Sequence, residues 1–164
     1  MIQRIQSLYL LAIVILGVLL CFMPVIQLTT PPEAEVQRMF EISATGMDEV
    51  TPNMENLYVE TLTLNGLWGL ALTTALIPFL AFVDIFFYRR RILQARLNIF
   101  LAMLCLGYYG ILFMYVWFAK MNFGLEWHIY FWTCIPLICF VLTLGAIRRI
   151  LKDEALVRAA DRIR

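Results

Sequence analysis

Four long apolar stretches dominate this chain, at about residues 5–28, 67–88, 97–119 and 127–147. A helix that crosses a bilayer needs about 20 mostly apolar residues, each rising 1.5 Å. Every one of the four meets that length. Composition agrees, with 62% hydrophobic and 15% charged residues in a chain of 164. Soluble domains run at about half apolar and about a quarter charged. A domain this small still exposes much of its surface, so a soluble core could not hide the excess. The expected fold is a single all-α membrane domain over residues 1–164, a four-transmembrane-helix up-down bundle. An outer loop occupies 29–66 and a cytoplasmic tail 148–164. Short connections between the other helices make sequential spans antiparallel neighbours.

The first stretch is longer than the apolar region of a signal peptide. The residues after it, Leu28-Thr29-Thr30-Pro31-Pro32-Glu33, offer no small-x-small cleavage site, and the bulky Leu20 precedes Cys21. A retained helix is expected.

Orientation follows from Lys and Arg in the short loops. Arg4 precedes the first span. Arg89, Arg90, Arg91 and Arg96 separate the second and third. Arg148, Arg149, Lys152, Arg158, Arg162 and Arg164 follow the fourth. Of the 13 basic residues only Arg38 and Lys120 fall on the other side. The rich side is cytoplasmic, which places both termini inside. Glu33, Glu35, Glu41, Asp48, Glu49, Glu55 and Glu60 all lie in the outer loop. Trp68, Trp117, Trp127 and Trp132 then fall at the outer interface, where tryptophan concentrates. Charge alone built the topology, so the tryptophans support it independently.

Within the outer loop, Phe40-Glu41-Ile42-Ser43-Ala44-Thr45 alternates like a half-buried strand and Gly46 offers a break. Tyr58 to Thr63 is rich in β-branched and aromatic residues. The two segments are expected to pair as a small β-hairpin over the helices.

Candidates for chemistry are few. Cys21, Cys105, Cys134 and Cys139 lie in apolar runs without C-x-x-C spacing, and are expected to be small buried hydrophobes. His128 has no metal-ligand pattern around it, so no metal or other cofactor is expected. Ser7 and Ser43 have no nearby base. The chain is therefore expected not to be an enzyme. Asp84 is the ionisable residue inside a span, a possible intramembrane polar site. It lies about 6 Å of helix from Tyr88. That suits either an interfacial acid paired with Arg89, Arg90 or Arg91, or a proton or ion site. Pro24, Pro78 and Pro136 fall in three of the four spans and are expected to kink them. Gly66, Gly69, Gly107, Gly110 and Gly145 are expected to permit close helix packing.

The tail from Arg148 has no Gly or Pro and suits a helix continuing out of span four. Arg149 with Asp153, Glu154 with Arg158, and Asp161 with Arg158 and Arg164 stand at helical spacing. Leu156, Ala159, Ala160 and Ile163 form a narrow apolar stripe. Such a helix lies on a bilayer or binds a partner. Its net +3, added to the arginines of the inner loop, favours anionic phospholipid or an acidic partner.

The start Met1 to Leu11, the inner segment Arg90-Arg91-Ile92-Leu93-Gln94-Ala95-Arg96-Leu97-Asn98 and the ending Asp153 to Arg164 resemble a family of small four-span proteins from Bacteroidota, a domain of unknown function. The resemblance covers essentially the whole chain. It implies a Gram-negative inner membrane and carries over no catalytic residues.

Two functions fit. One is a non-enzymatic inner-membrane subunit or adaptor within a larger membrane-protein complex. Its basic cytoplasmic surface would comprise Arg4, Arg89, Arg90, Arg91, Arg96, Arg148, Arg149, Arg158, Asp161, Arg162 and Arg164. The other is a small transporter or channel component using Asp84 and the proline kinks. Nucleic acid is not an expected partner of either.

Overall fold

The computed structural model describes residues 3–29, 39–44, 46–49, 68–87 and 90–163. Four α-helices carry the fold: α1 Gln3–Phe22, α2 Trp68–Phe86, α3 Arg91–Phe123 and α4 Ile135–Ile163. They pack side by side in the cyclic order α1-α2-α3-α4, with α4 returning against α1. Facing residues show antiparallel neighbours. Gly17 meets Pro78 while Cys21 reaches the Thr74 carbonyl, so α1 and α2 run in opposite directions. Tyr109 of α3 bonds to Thr133 and Leu137 at the start of α4.

Among the described residues three helical stretches are long and apolar enough to cross a membrane: Trp68–Phe86, Ile92–Met121 and Phe131–Asp153, the last starting in the turn before α4. The apolar part of α1, Ser7–Phe22, is shorter. Each helix is apolar on both its faces. Leu10, Ile13, Leu70, Ile77, Leu101, Cys105 and Cys139 are buried, whereas Ile15, Phe79, Phe82, Met103, Phe113 and Val141 are exposed. Helices apolar on every side are the signature of a lipid surround.

Four short strands, β1 Ile26–Thr29, β2 Met39–Ile42, β3 Met47–Glu49 and β4 Glu126–Ile129, form one antiparallel sheet in the order β3-β2-β1-β4. Ile26, Leu28 and Ile42 are buried in the core that the helices share, so the sheet closes one end of the bundle. Val25 joins sheet and helices. Its N–H donates to Ile42 at 2.8 Å, and its carbonyl accepts the Tyr130 N–H at 3.2 Å and the Thr133 hydroxyl at 2.6 Å.

Several expected boundaries are corrected. The first helix ends at Phe22, not near residue 28, and its apolar continuation is strand β1. Pro24 causes this: it lacks an N–H and pushes Met23 out of helical geometry. Pro24 is thus a helix stop, not a kink. Pro136 sits in the first turn of α4, where a missing N–H leaves nothing unpaired. Only Pro78 lies inside a helix among the described residues. Trp127 belongs to β4 and Trp132 to a 3-10 turn, Phe131–Cys134, that leads into α4. The hairpin partner of β2 is β3, across the turn at 43–46, and its other neighbour is β1. The segment 58–63 lies outside the described residues. The inner segment 91–96, expected as loop, is the first turn and a half of α3.

At 33 and 29 residues, α3 and α4 run to about 50 and about 44 Å, against about 30 Å of hydrocarbon. The tail does continue α4 as one helix to Ile163.

Candidate functional site

The chain places its polar groups in two locations: one buried seam and one charged end. The seam lies between the last turn of α2 and the first two turns of α3. An α2-to-α3 connection of only a few residues brings these turns together. Asp84 is 1% exposed and Asn98 0%. Asn98 donates from Nδ2 to Asp84 Oδ2 at 2.5 Å and to its own helix at the Gln94 carbonyl, 3.0 Å. Gln94, also buried, donates from Nε2 to the Asp84 carbonyl at 3.5 Å. That carbonyl also takes the Phe87 N–H at 3.2 Å, so the frayed end of α2 is held by α3. Asp84 Oδ1 and Asn98 Oδ1 have no hydrogen-bond partner among the described residues.

Asp84 is buried, and the expected pairing with Arg89 or Arg91 falls on side chains outside the described residues. Asp84 points across the bundle to α3. Gln94 and Asn98 were not singled out from the sequence, although they stand four residues apart on one face of α3. With Arg91 and Arg96 in the same segment, the two amides read as interfacial.

The charged end is the one opposite the sheet. The antiparallel order brings the start of α1, the α2–α3 connection and the far part of α4 to that end. Arg90, Arg96, Arg148 and Lys152 are exposed there. Arg149 lies over the Tyr9 ring, 5.3 Å from its centroid, and reaches the Tyr9 hydroxyl at 3.3 Å. This cation–π contact ties α4 to α1. The helical backbone holds Arg4, Arg91, Arg158, Asp161 and Arg162 at that end too; their side chains, with Arg89 and Arg164, lie outside the described residues. Basic residues in the first turn of α3 oppose its helix dipole, since no acid stands there and Arg90 provides no side-chain cap. Their placement does not serve helix stability.

At the sheet end, Glu41 and Glu126 replace the arginines. Tyr130 donates to Glu41 at 2.6 Å and lies 3.1 Å from the Gln27 side-chain oxygen. The neighbouring Glu41 carboxylate, with some burial, pushes the Tyr130 phenol up to about 12. Trp68, Trp117 and Trp127 are exposed around this end.

A family model matches residues 2–163. The chain belongs to the DUF4293 family, a domain of unknown function. No curated protein matches the chain. Membership in DUF4293 therefore assigns no activity to the seam or to the charged end.

Of the four cysteines, Cys105 and Cys139 are buried as expected, Cys21 is half-buried, and Cys134 is exposed; all are free. Gly107 and Gly110 have open space beside them. A Cβ added at Gly69 would make ordinary contact with Tyr115 of α3, and one at Gly145 with Tyr9 of α1; Gly66 is outside the described residues. The tightest approach among the described glycines is at Gly17, where an added Cβ would stand 3.0 Å from the Pro78 ring.

Proposed function

We propose that this protein is a four-span integral protein of a bacterial inner membrane, with both termini in the cytoplasm. It acts as a non-enzymatic subunit or adaptor. The span reading for α1 is supported by its 20 residues, about 30 Å of helix, packed against α2 and α4. The observation that carries the function is charge segregation. The described cations, Lys120 apart, gather at the end away from the sheet, while Glu41 and Glu126 lie at the sheet end. Orientation alone needs only a bias in basic residues. Here the arginines come from three separate segments and several side chains are exposed together. Such a surface attracts an acidic protein partner, and the α4 extension lengthens it beyond the membrane. Anionic headgroups offer the same complementarity at shorter range.

The test is native purification by a tag in the outer loop, comparing wild type with Arg90→Glu, Arg91→Glu and Arg96→Glu combined. A stoichiometric companion that the triple variant loses, while still inserting in the same orientation, supports the subunit. Purification of the wild type without a companion, or a companion retained by the variant, counts against it.

A further inference from the structure

We propose that Asp84 and Asn98 form a proton-binding site in the α2–α3 seam, the proton being held between Asp84 Oδ1 and Asn98 Oδ1. The inference is independent of the basic surface and uses none of its residues. It begins from hydrogen-bond accounting. Buried polar atoms in proteins are nearly always paired, and those that are not require an explanation. Here one carboxyl and one side-chain amide face each other, joined by the Asn98 Nδ2 to Asp84 Oδ2 bond. The remaining oxygen on each is buried and unpartnered. An amide oxygen only accepts, and an ionised carboxylate only accepts. Two acceptors without a donor are a mismatch that one hydrogen resolves. With an O–H formed at Asp84 Oδ1, the carboxyl donates to Asn98 Oδ1 while the amide donates to Asp84 Oδ2. The result is a two-bond acid–amide pair. The proton comes from hydronium at the adjacent bundle end, whose O–H bond breaks as the carboxyl O–H forms and which leaves as water. Asp84 lies two residues from the end of α2, so the path is about 3 Å of helix rise.

The surroundings favour a proton over a metal cation. A hard cation takes six or more oxygens, and among the described residues two side-chain oxygens are left open here. Among the described residues no basic side chain enters the seam. On α1, Tyr9 is engaged with Arg149, and Cys21 bonds at Gly17 and Thr74, ten residues of α2 away from Asp84. On α3, Arg90 and Arg96 are exposed, while Cys105 and Tyr108 lie seven and ten residues beyond Asn98. Asp153 and Arg149 belong to α4, which packs on α3 and α1.

Infrared spectroscopy of the full chain in lipid nanodiscs, titrated with pH, reads this directly. The wild type is expected to show a protonated-carboxyl carbonyl band worth one carboxyl per chain. Carbon-13 aspartate should lower its frequency, and Asp84→Asn should remove it. Asn98→Leu should move it to higher frequency, because the acceptor of the O–H bond is gone; Asn98→Ser substitutes if that variant does not fold. Spectra of wild type and Asp84→Asn that coincide at every pH where both fold would overturn the proposal and leave a trapped water as the donor. A band that depends on Asp84 but is unmoved by either Asn98 variant would overturn the shared-proton geometry.

Discussion

Gly17 is where a single hydrogen decides how close two helices come. Pro78 cannot continue the α2 hydrogen-bond ladder and presents a rigid ring to α1. A methyl group at position 17 would meet that ring at 3.0 Å on both Cβ and Cδ. A proline ring has no rotamer by which to withdraw. Gly17→Ala is expected to destabilise by about 1–3 kcal/mol, the range for overpacking a filled core. Thermal unfolding in detergent checks it, and an unchanged midpoint would mean the α1–α2 seam yields. Gly124 makes a different demand. It closes α3 in the left-handed region, at φ 63°, with its N–H on the Lys120 carbonyl. There an alanine is expected to lower stability by roughly 1 kcal/mol through backbone strain alone, despite open space around it.

Among the elements, the sheet depends on side-chain bonds that its short strands need. Strands of three or four residues are marginal without something to pack on. Tyr130 supplies part of that support by bonding to Glu41 on β2. Its folded value, about 12, stands above the ordinary 10.0. The neutral phenol is the form that donates. The contribution is therefore complete below pH 10 and lost as pH rises toward about 12. Tyr130→Phe is expected to remove this alkaline step from the unfolding profile and to delete one high-pH phenolate from the ultraviolet titration. An identical alkaline profile in the variant would show that the Glu41 bond adds nothing.

The same elements show what could be read from the chain. Each of the four apolar runs holds a helix, because period and length are properties of local sequence, although several helix ends differ from the runs. The end of α1 was not legible in the same way. Val25 to Leu28 is as apolar as the helix before it, and only Pro24 marks the change. Short apolar runs suit helix and strand equally until a partner strand decides. Likewise, β2 was visible in its alternation, but its pairing with β1 depends on where α1 delivers the chain. Asp84 stood out as a charge in a span. Its partners did not, since neutral amides near an arginine cluster read as interfacial. Only the α2–α3 register brings Asn98 across to it.

For the whole molecule, the decisive question is which end faces which compartment, and whether α1 crosses with the others. The cations at one end support one orientation, and the exposed tryptophans mark the interface at the other. They make a prediction for three single cysteines placed in a background without the native four. Glu126→Cys, exposed in β4, should react with a membrane-impermeant maleimide from outside spheroplasts. Arg148→Cys, exposed at the charged end of the bundle, should react only after the membrane is opened. Gln3→Cys at the start of α1 distinguishes four spans from three. If α1 crosses, Gln3→Cys behaves like Arg148→Cys; if α1 lies on the outer side, it labels from outside like Glu126→Cys. Protection of Glu126→Cys with labelling of Arg148→Cys would invert the protein. The basic surface would then face away from the cytoplasm, and the subunit proposal would fall with it. The Asp84–Asn98 pair would keep its chemistry in either orientation, because its proton site is set by the α2–α3 register and not by the side from which water arrives.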